Sequence, residues 1–259
     1  MSDTIRYEVS DRIATITIDR EQARNSLDLA SLDALKAASA RAEADNDVDV
    51  VILTAVGSVF SAGLDLKSLS SGEIDVLAHT RLGNPWTGRT KPMIAAVNGP
   101  AITGGLELVL NCDIAVASTE AAFADTHTRV GILPFWGMSV LLPRSVGRRN
   151  ATWMTLTGDF IDADIALRFG LVVEVVAPDE LQSAARAIAT VIANNDQPGV
   201  RAMLGLYRDG AGLPNDTAQE LEIERATEWH GDGFDAAAIA GRFEAIKQRG
   251  RAQREGSGG

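Results

Sequence analysis

Two stretches of this chain follow one plan, and that plan narrows the possible folds more than any other feature of the sequence. Residues 48–55 (Val-Asp-Val-Val-Ile-Leu-Thr-Ala) and 93–97 (Met-Ile-Ala-Ala-Val) are short, nearly unbroken apolar runs. Runs of that length read as buried strands. Each passes through a glycine-bearing turn, with Gly57 and Gly63 in the first and Gly99, Gly104 and Gly105 in the second, and then into a helical pattern. A buried strand, a glycine turn and a helix, used twice, predict an α/β fold with an internal structural repeat.

The remaining elements fit that frame. Residues 5–9 and 12–19 are β-type runs separated by Ser10-Asp11, and Ile13, Thr15 and Thr17 alternate with Ala14, Ile16 and Ile18. That period of two predicts a hairpin. Leu29, Leu32 and Leu35 share one stripe of a helix over 28–44. Residues 68–90 are polar, contain glycine and show little periodicity, so a mobile loop with helical pieces is expected. Strands are expected at 113–117 and 171–176, and a helix from Pro178-Asp179 to 193. From Trp136 onward the pattern is mostly helical, and Pro198, Pro214 and the glycines at 231 and 233 punctuate three more helices. The change at 195–198 suggests a core over 1–195 that carries the site and a helical C-terminal region over 196–252. A flexible tail is expected over 253–259.

Composition removes several function classes. With 46% hydrophobic and 23% charged residues over 259 positions, the chain can bury a substantial core. The single Cys112 allows no intrachain disulfide, and the three histidines, at 79, 127 and 230, give no metal-ligand spacing, so no metal is expected. A formal charge of −11 makes a poor non-specific nucleic-acid binder. It does not exclude an anionic small ligand, because local fields can oppose the net charge. The first twenty residues carry no signal-like apolar stretch and no apolar run reaches membrane-spanning length. A cytoplasmic address and no membrane partner are expected. Neither a Walker phosphate loop nor a dinucleotide Gly-x-Gly-x-x-Gly after an early strand is present, so no ATP or NAD cofactor is expected.

The glycine turns carry the chemistry. Each can project a backbone N–H into one cleft, where two convergent donors form an oxyanion hole. The second turn opens a helix, whose dipole also favours developing negative charge. A glycine at such a turn is also, and often only, structural.

Residues 60–66, Phe-Ser-Ala-Gly-Leu-Asp-Leu, and 91–107, Lys-Pro-Met-Ile-Ala-Ala-Val-Asn-Gly-Pro-Ala-Ile-Thr-Gly-Gly-Leu-Glu, resemble the two signatures of the crotonase family, the enoyl-CoA hydratase/isomerase superfamily. Residues 112–115 continue the match. Thr157-Gly158, Ala163 to Ala166 and Gly170-Leu171-Val172 resemble its later pattern. The resemblance is good over residues 5–195 and loose over the C-terminal helices. It implies a crotonase-like spiral of ββα units with a helical C-terminal region, and assembly as a homotrimer or homohexamer. It also implies an acyl-CoA thioester substrate, with coenzyme A as part of the substrate and no separate cofactor. The oxyanion hole would be the N–H groups of Leu64 and Gly104. Ala62 would meet adenine through its carbonyl. Arg24 and Lys67 resemble basic positions for the coenzyme A phosphates, and Asp65 lies in the same segment, though its position also suits a cap on the next helix.

Glu107 matches the first of the two catalytic glutamates of family hydratases; the alternative is a helix-capping glutamate worth about 1 kcal/mol or less. The second glutamate's place holds His127. Histidine can do general acid–base work. Three roles stay open: replacement of the acid in a hydratase, a different reaction on the same enolate platform, or a pocket residue with no proton role. Asp125 and Arg129 are near enough in sequence to hydrogen-bond it. Phe135, Trp136 and Met138 make the following stretch bulky, which suits either core packing or a pocket that limits acyl length or stacks an aromatic acyl group. Enoyl-CoA hydration is therefore the expected activity. Isomerisation, thioester hydrolysis, decarboxylation or aromatic acyl-CoA substitution stand as alternatives, as does a non-catalytic acyl-CoA-binding protein. Cys112 reads as packing, and His79 and His230 take no assigned role.

Overall fold

A computed structural model describes residues 4–71, 86, 88–231, 241–243 and 246–251. The chain divides into two compact units, Met1–Leu204 and Gly205–Gly259. The first opens with β1 (Ile5–Ser10) and β2 (Ile13–Ile18), an antiparallel hairpin in which Ser10 faces Ile13. Asp11 and Arg12 turn it with φ of 53° and 64°. Positive φ at both central residues matches the right-handed twist of the flanking strands.

After a single 3-10 turn at Glu21–Ala23 come α1 (Leu29–Ala44) and β3 (Val50–Ala55). Asp28 caps α1 by accepting the Ser31 N–H at 2.8 Å. At the other end the buried Lys91 Nζ donates to the carbonyls of Ala42 and Asp45, at 2.6 and 2.5 Å. A buried ammonium is thus satisfied by carbonyls that end a helix. The chain continues through α2 (Leu66–Ser70), β4 (Met93–Val97), β5 (Ala101–Ile102) and α3 (Gly104–Leu110). Next are β6 (Ile114–Ser118), β7 (Ala122–Ala124) and α4 (His127–Val130). Then follow α5 (Met138–Val146), α6 (Arg148–Thr157), β8 (Ile161–Asp162), α7 (Ala163–Phe169), β9 (Glu174–Val176) and α8 (Leu181–Ala193).

Six strands form the main sheet in the order β1-β2-β3-β4-β6-β9, parallel from β2 onward. Alternation sorts its side chains to two faces. Val51, Leu53, Met93, Ala95 and Val97 join the larger core with α1 and α3, whereas Val50, Ile52, Ile94 and Ala96 face Leu181, Ala185, Ala189 and Ala193 of α8. Burial on both faces is what the apolar runs at 48–55 and 93–97 require. A second, small sheet, β5-β7-β8, was not visible in the sequence because its strands have only two or three residues.

The strand expected at 171–176 is shorter, Glu174–Val176. Gly170 ends α7 in the left-handed region, and the Leu171 N–H bonds back to Ala166 O at 2.9 Å, so Leu171 and Val172 are buried as helix-end packing. The structure of the expected loop at 68–90 falls mostly outside the described residues, as does His79. Helices α9 (Gln197–Gly210) and α10 (Asn215–Gly231) follow, and the division between the compact units falls within α9. Residues 241–243 and 246–251 are helical and exposed, and the expected tail at 253–259 lies outside the described residues. Among the described residues no helix is long and apolar enough to cross a membrane.

Candidate active site

The two glycine turns meet. Ser61 bridges Ala101, and the Ile102 N–H donates to Ser61 O at 2.9 Å. Gly63, at φ +85°, approaches so closely that a Cβ there would stand 2.9 Å from both Gly104 N and Ile102 O. Leu64 and Gly104 thus come together, and among the described residues neither amide has a protein acceptor. Two free N–H groups side by side can hold a developing oxyanion, and loss of one such donor typically costs about 3 kcal/mol of transition-state stabilisation. The second turn is strained: Thr103 holds φ 53° and ψ −107°, which is rare for a β-branched residue. It is held there by its N–H on Ala124 O at 2.8 Å and by the 2.5 Å contact between the Thr103 and Thr126 hydroxyls.

Glu107 lies in the first turn of α3 and is 3% exposed. Its Oε1 accepts the Trp136 and Met138 N–H groups, at 2.8 and 3.2 Å. Burial pushes its carboxyl above the usual range, against the opposing pull of His127 and those two amides. A helix cap would sit in solvent and titrate normally or low; this carboxylate is walled off and made more basic.

His127 begins α4 beside it, its Nε2 3.8 Å from Glu107 Oε2 and its Nδ1 2.6 Å from Asp125 Oδ1. Asp125 also accepts the His127 N–H at 3.2 Å and the Thr155 hydroxyl at 2.7 Å. Burial alone would raise Asp125, but the hydrogen bonds from His127 and Thr155 outweigh it and hold the carboxyl low. Of the two neighbours expected to hold His127, Asp125 does so. Arg129 turns away, to Thr157 O and Asp159, both at 2.8 Å. Thr155 was not singled out by sequence reasoning, because thirty positions separate it from Asp125 and no pattern links them.

Trp136 lies against the second turn: a Cβ on Gly104 would stand 3.4 Å from its ring. The Asn111 amide holds the Trp136 carbonyl at 2.7 Å and so fixes the segment that gives Glu107 its two N–H donors. Asn111 too was missed, since an Asn at a helix end reads as an ordinary cap. Met138 is buried, whereas Phe135 is exposed.

The positions expected to meet coenzyme A form a strip beside the first turn. The Ala62 N–H donates to Arg24 O at 3.1 Å. Arg24 has left-handed backbone and Lys67 lies in the first turn of α2 with an exposed side chain; neither carries an ion pair among the described residues. Buried Asn25 ties this strip to the first turn, donating to Val56 O and Val59 O at 2.9 and 2.6 Å. Asp65 takes the capping part that its position suits. Its Oδ2 takes the Arg20 guanidinium at 2.7 Å and its Oδ1 takes the Lys67 N–H at 2.9 Å, so it caps α2. Cys112 is also structural: its thiol donates to Leu108 O at 3.3 Å, and burial pushes its pKa up to about 12.

The enoyl-CoA hydratase/isomerase family model matches residues 8–230. A (E)-benzylidenesuccinyl-CoA hydratase from Thauera aromatica is 39% identical over 204 residues, covering 76% of this chain and 79% of that one. A short-chain-enoyl-CoA hydratase from Clostridium acetobutylicum is 35% identical over 258 residues, 95% of this chain and 99% of that one. Among solved structures, an enoyl-CoA hydratase from Mycobacterium tuberculosis H37Rv superposes with TM-score 0.76 at 49% identity, covering 87% of this chain and 97% of the other. Paired free amides at two matched glycine turns, and likeness over nearly the whole length of such relatives, lead to one conclusion: the chain belongs to the enoyl-CoA hydratase/isomerase family.

Proposed function

We propose that the protein is an enoyl-CoA hydratase, adding water across the 2,3-double bond of an enoyl-CoA. The observation that carries the reading is the buried pair of Glu107 and His127, 3.8 Å apart, in a fold whose two free amides converge nearby. Substrate thioester oxygen sits between the Leu64 and Gly104 N–H groups. Water loses a proton to Glu107 as its oxygen bonds to the β-carbon, and the double-bond electrons move onto the thioester as an enolate. Glu107 passes the water's proton to His127 Nε2, which delivers it to the α-carbon of the enolate, and both groups return to their starting state. No cofactor enters; coenzyme A belongs to the substrate, with Arg24, Lys67 and Ala62 along its path.

Trp136 beside the Gly104 turn supports an acyl group with a flat substituent, as in the substrate of the Thauera relative. We extend the reading to a homotrimer or homohexamer, supported by the exposed apolar side chains Leu133, Trp153, Leu156 and Phe160. The test is loss of the conjugated enoyl-thioester absorbance with crotonyl-CoA and with an aryl-substituted enoyl-CoA, alongside Glu107→Gln and His127→Ala. Turnover lost in both variants supports hydration. Tight acyl-CoA binding without turnover by the native protein overturns it.

One observation favours a second reading. His127 stands where hydratases of the family carry a carboxylate, so double-bond isomerisation on the same enolate, with Glu107 moving one proton between carbons, is the runner-up. Conversion of a 3-enoyl-CoA without hydration would select it.

A further inference from the structure

We propose that Asp125, held in turn by Thr155, is the positioning residue that fixes His127 with Nδ1–H turned inward and Nε2 turned to Glu107, so that the imidazole moves protons through one nitrogen only. The proposal rests on the hydratase reading and deepens it. Three contacts carry it: Thr155 Oγ1 to Asp125 Oδ2 at 2.7 Å, Asp125 Oδ1 to His127 Nδ1 at 2.6 Å, and His127 Nε2 to Glu107 Oε2 at 3.8 Å. All three ionisable groups are buried, with Asp125 at 1%, Glu107 at 3% and His127 at 5% exposed.

The chemistry of the partners sets the direction. An ionised carboxylate only accepts hydrogen bonds, and a neutral imidazole donates from one nitrogen and accepts at the other. Asp125 is held ionised by the hydrogen bonds it receives, so Nδ1 must be the donor. The mobile proton is then confined to Nε2, and a carboxylate behind the ring stabilises the imidazolium when Nε2 is protonated. Asp125 also accepts the His127 backbone N–H at 3.2 Å, which fixes the ring's pivot as well as its edge. Arg129, the other charged group of α4, is drawn to Thr157 O and Asp159 and leaves the axis to the two carboxylates.

The test has two arms on the full chain. In ¹⁵N-edited NMR, His127 is assigned by its loss in His127→Ala. The native protein should show a strongly hydrogen-bonded Nδ1–H, and Asp125→Asn should lose it. In kinetics with the best enoyl-CoA found, Asp125→Asn should lower kcat by about 10–100-fold, the range for groups that orient a working side chain, with KM within about twofold. Thr155→Val, which leaves both charged groups in place, should give a smaller loss of about threefold to tenfold in kcat in the same pattern. Should Asp125→Asn fail to fold, Thr155→Val still decides the kinetic arm, and the native spectrum decides the NMR arm. A native His127 protonated on Nε2 alone, or a kcat unchanged in both variants, overturns the proposal. The NMR arm needs no turnover, so a protein that hydrates nothing but keeps the Nδ1–H would sink the hydratase reading and leave the positioning role standing.

Discussion

The two strand–turn–helix units place an acid at nearly the same distance past the glycine: Asp65 two residues after Gly63, Glu107 three after Gly104. Their surroundings are opposite. Asp65 receives the Arg20 guanidinium first and foremost, with the Lys67 amide beside it, and is held below its ordinary value of 3.8. Glu107 has two amides and His127 but, among the described residues, no arginine or lysine, and burial pushes it above its ordinary value of 4.5. One carboxylate stabilises the fold by being charged. The other is costly when charged, which is the condition for a base that will accept a proton. Family resemblance marks Glu107 and leaves Asp65 open between cap and ligand contact; the partner on each side chain gives the physical difference between them.

The sharpest way to break that contrast is Glu107→Gln. Activity should fall by about 10²–10⁴-fold, the usual worth of a general base. Stability should move the other way. A carboxyl raised in the fold adds stability fully below its unfolded value and loses it as pH rises through the folded value, so at neutral pH ionised Glu107 is a burden. Removing it should raise stability by about 1 kcal/mol, or Tm by about 2–4 °C, read by thermal melts at pH 7. A lower Tm would mean that Glu107 is as structural as Asp65.

Gly63 and Gly104 come next. Gly63→Ala places a side chain at φ +85° and 2.9 Å from two backbone atoms, whereas a Cβ on Gly104 meets nothing nearer than 3.2 Å. The first change should cost about 1–3 kcal/mol of stability and about a hundredfold in kcat, because the two turns must part. The second needs its neighbours to give only a few tenths of an ångström, so it should cost less stability than the first and about tenfold in kcat by crowding the hole and Trp136. Equal losses would mean that the turns are equivalent.

Smallest in activity is Asp65→Asn. It should keep kcat within about threefold and cost about 1–2 kcal/mol at pH 7, measured by urea denaturation. Asp65 is lowered by its partners, so its contribution is present above its unfolded value and disappears as pH falls through the folded one. The gap between native and variant should therefore close in acid. A gap that persisted there would show that packing, and not the charge on Asp65, is what the variant lost.

Much of this was legible in the residues. Unbroken apolar runs at 48–55 and 93–97 required strands covered on both faces, and the six-stranded sheet between α1 and α8 covers them. The glycines at 63 and 104 pointed to close approach. Glu107 and His127 were marked by their places in a motif. What stayed hidden was contact between parts distant in sequence. Thr155 reaches Asp125 only because α6 packs against α4, and Arg20 reaches Asp65 across 45 positions.

The order of strands, glycine turns and helices was therefore determined by the sequence alone, because local pattern and backbone sterics act over a few residues. Only the tertiary structure decided that Glu107 is walled off from solvent, and which nitrogen of His127 faces it. Charge state and hydrogen-bond direction depend on burial and on partners that the chain brings together only by folding.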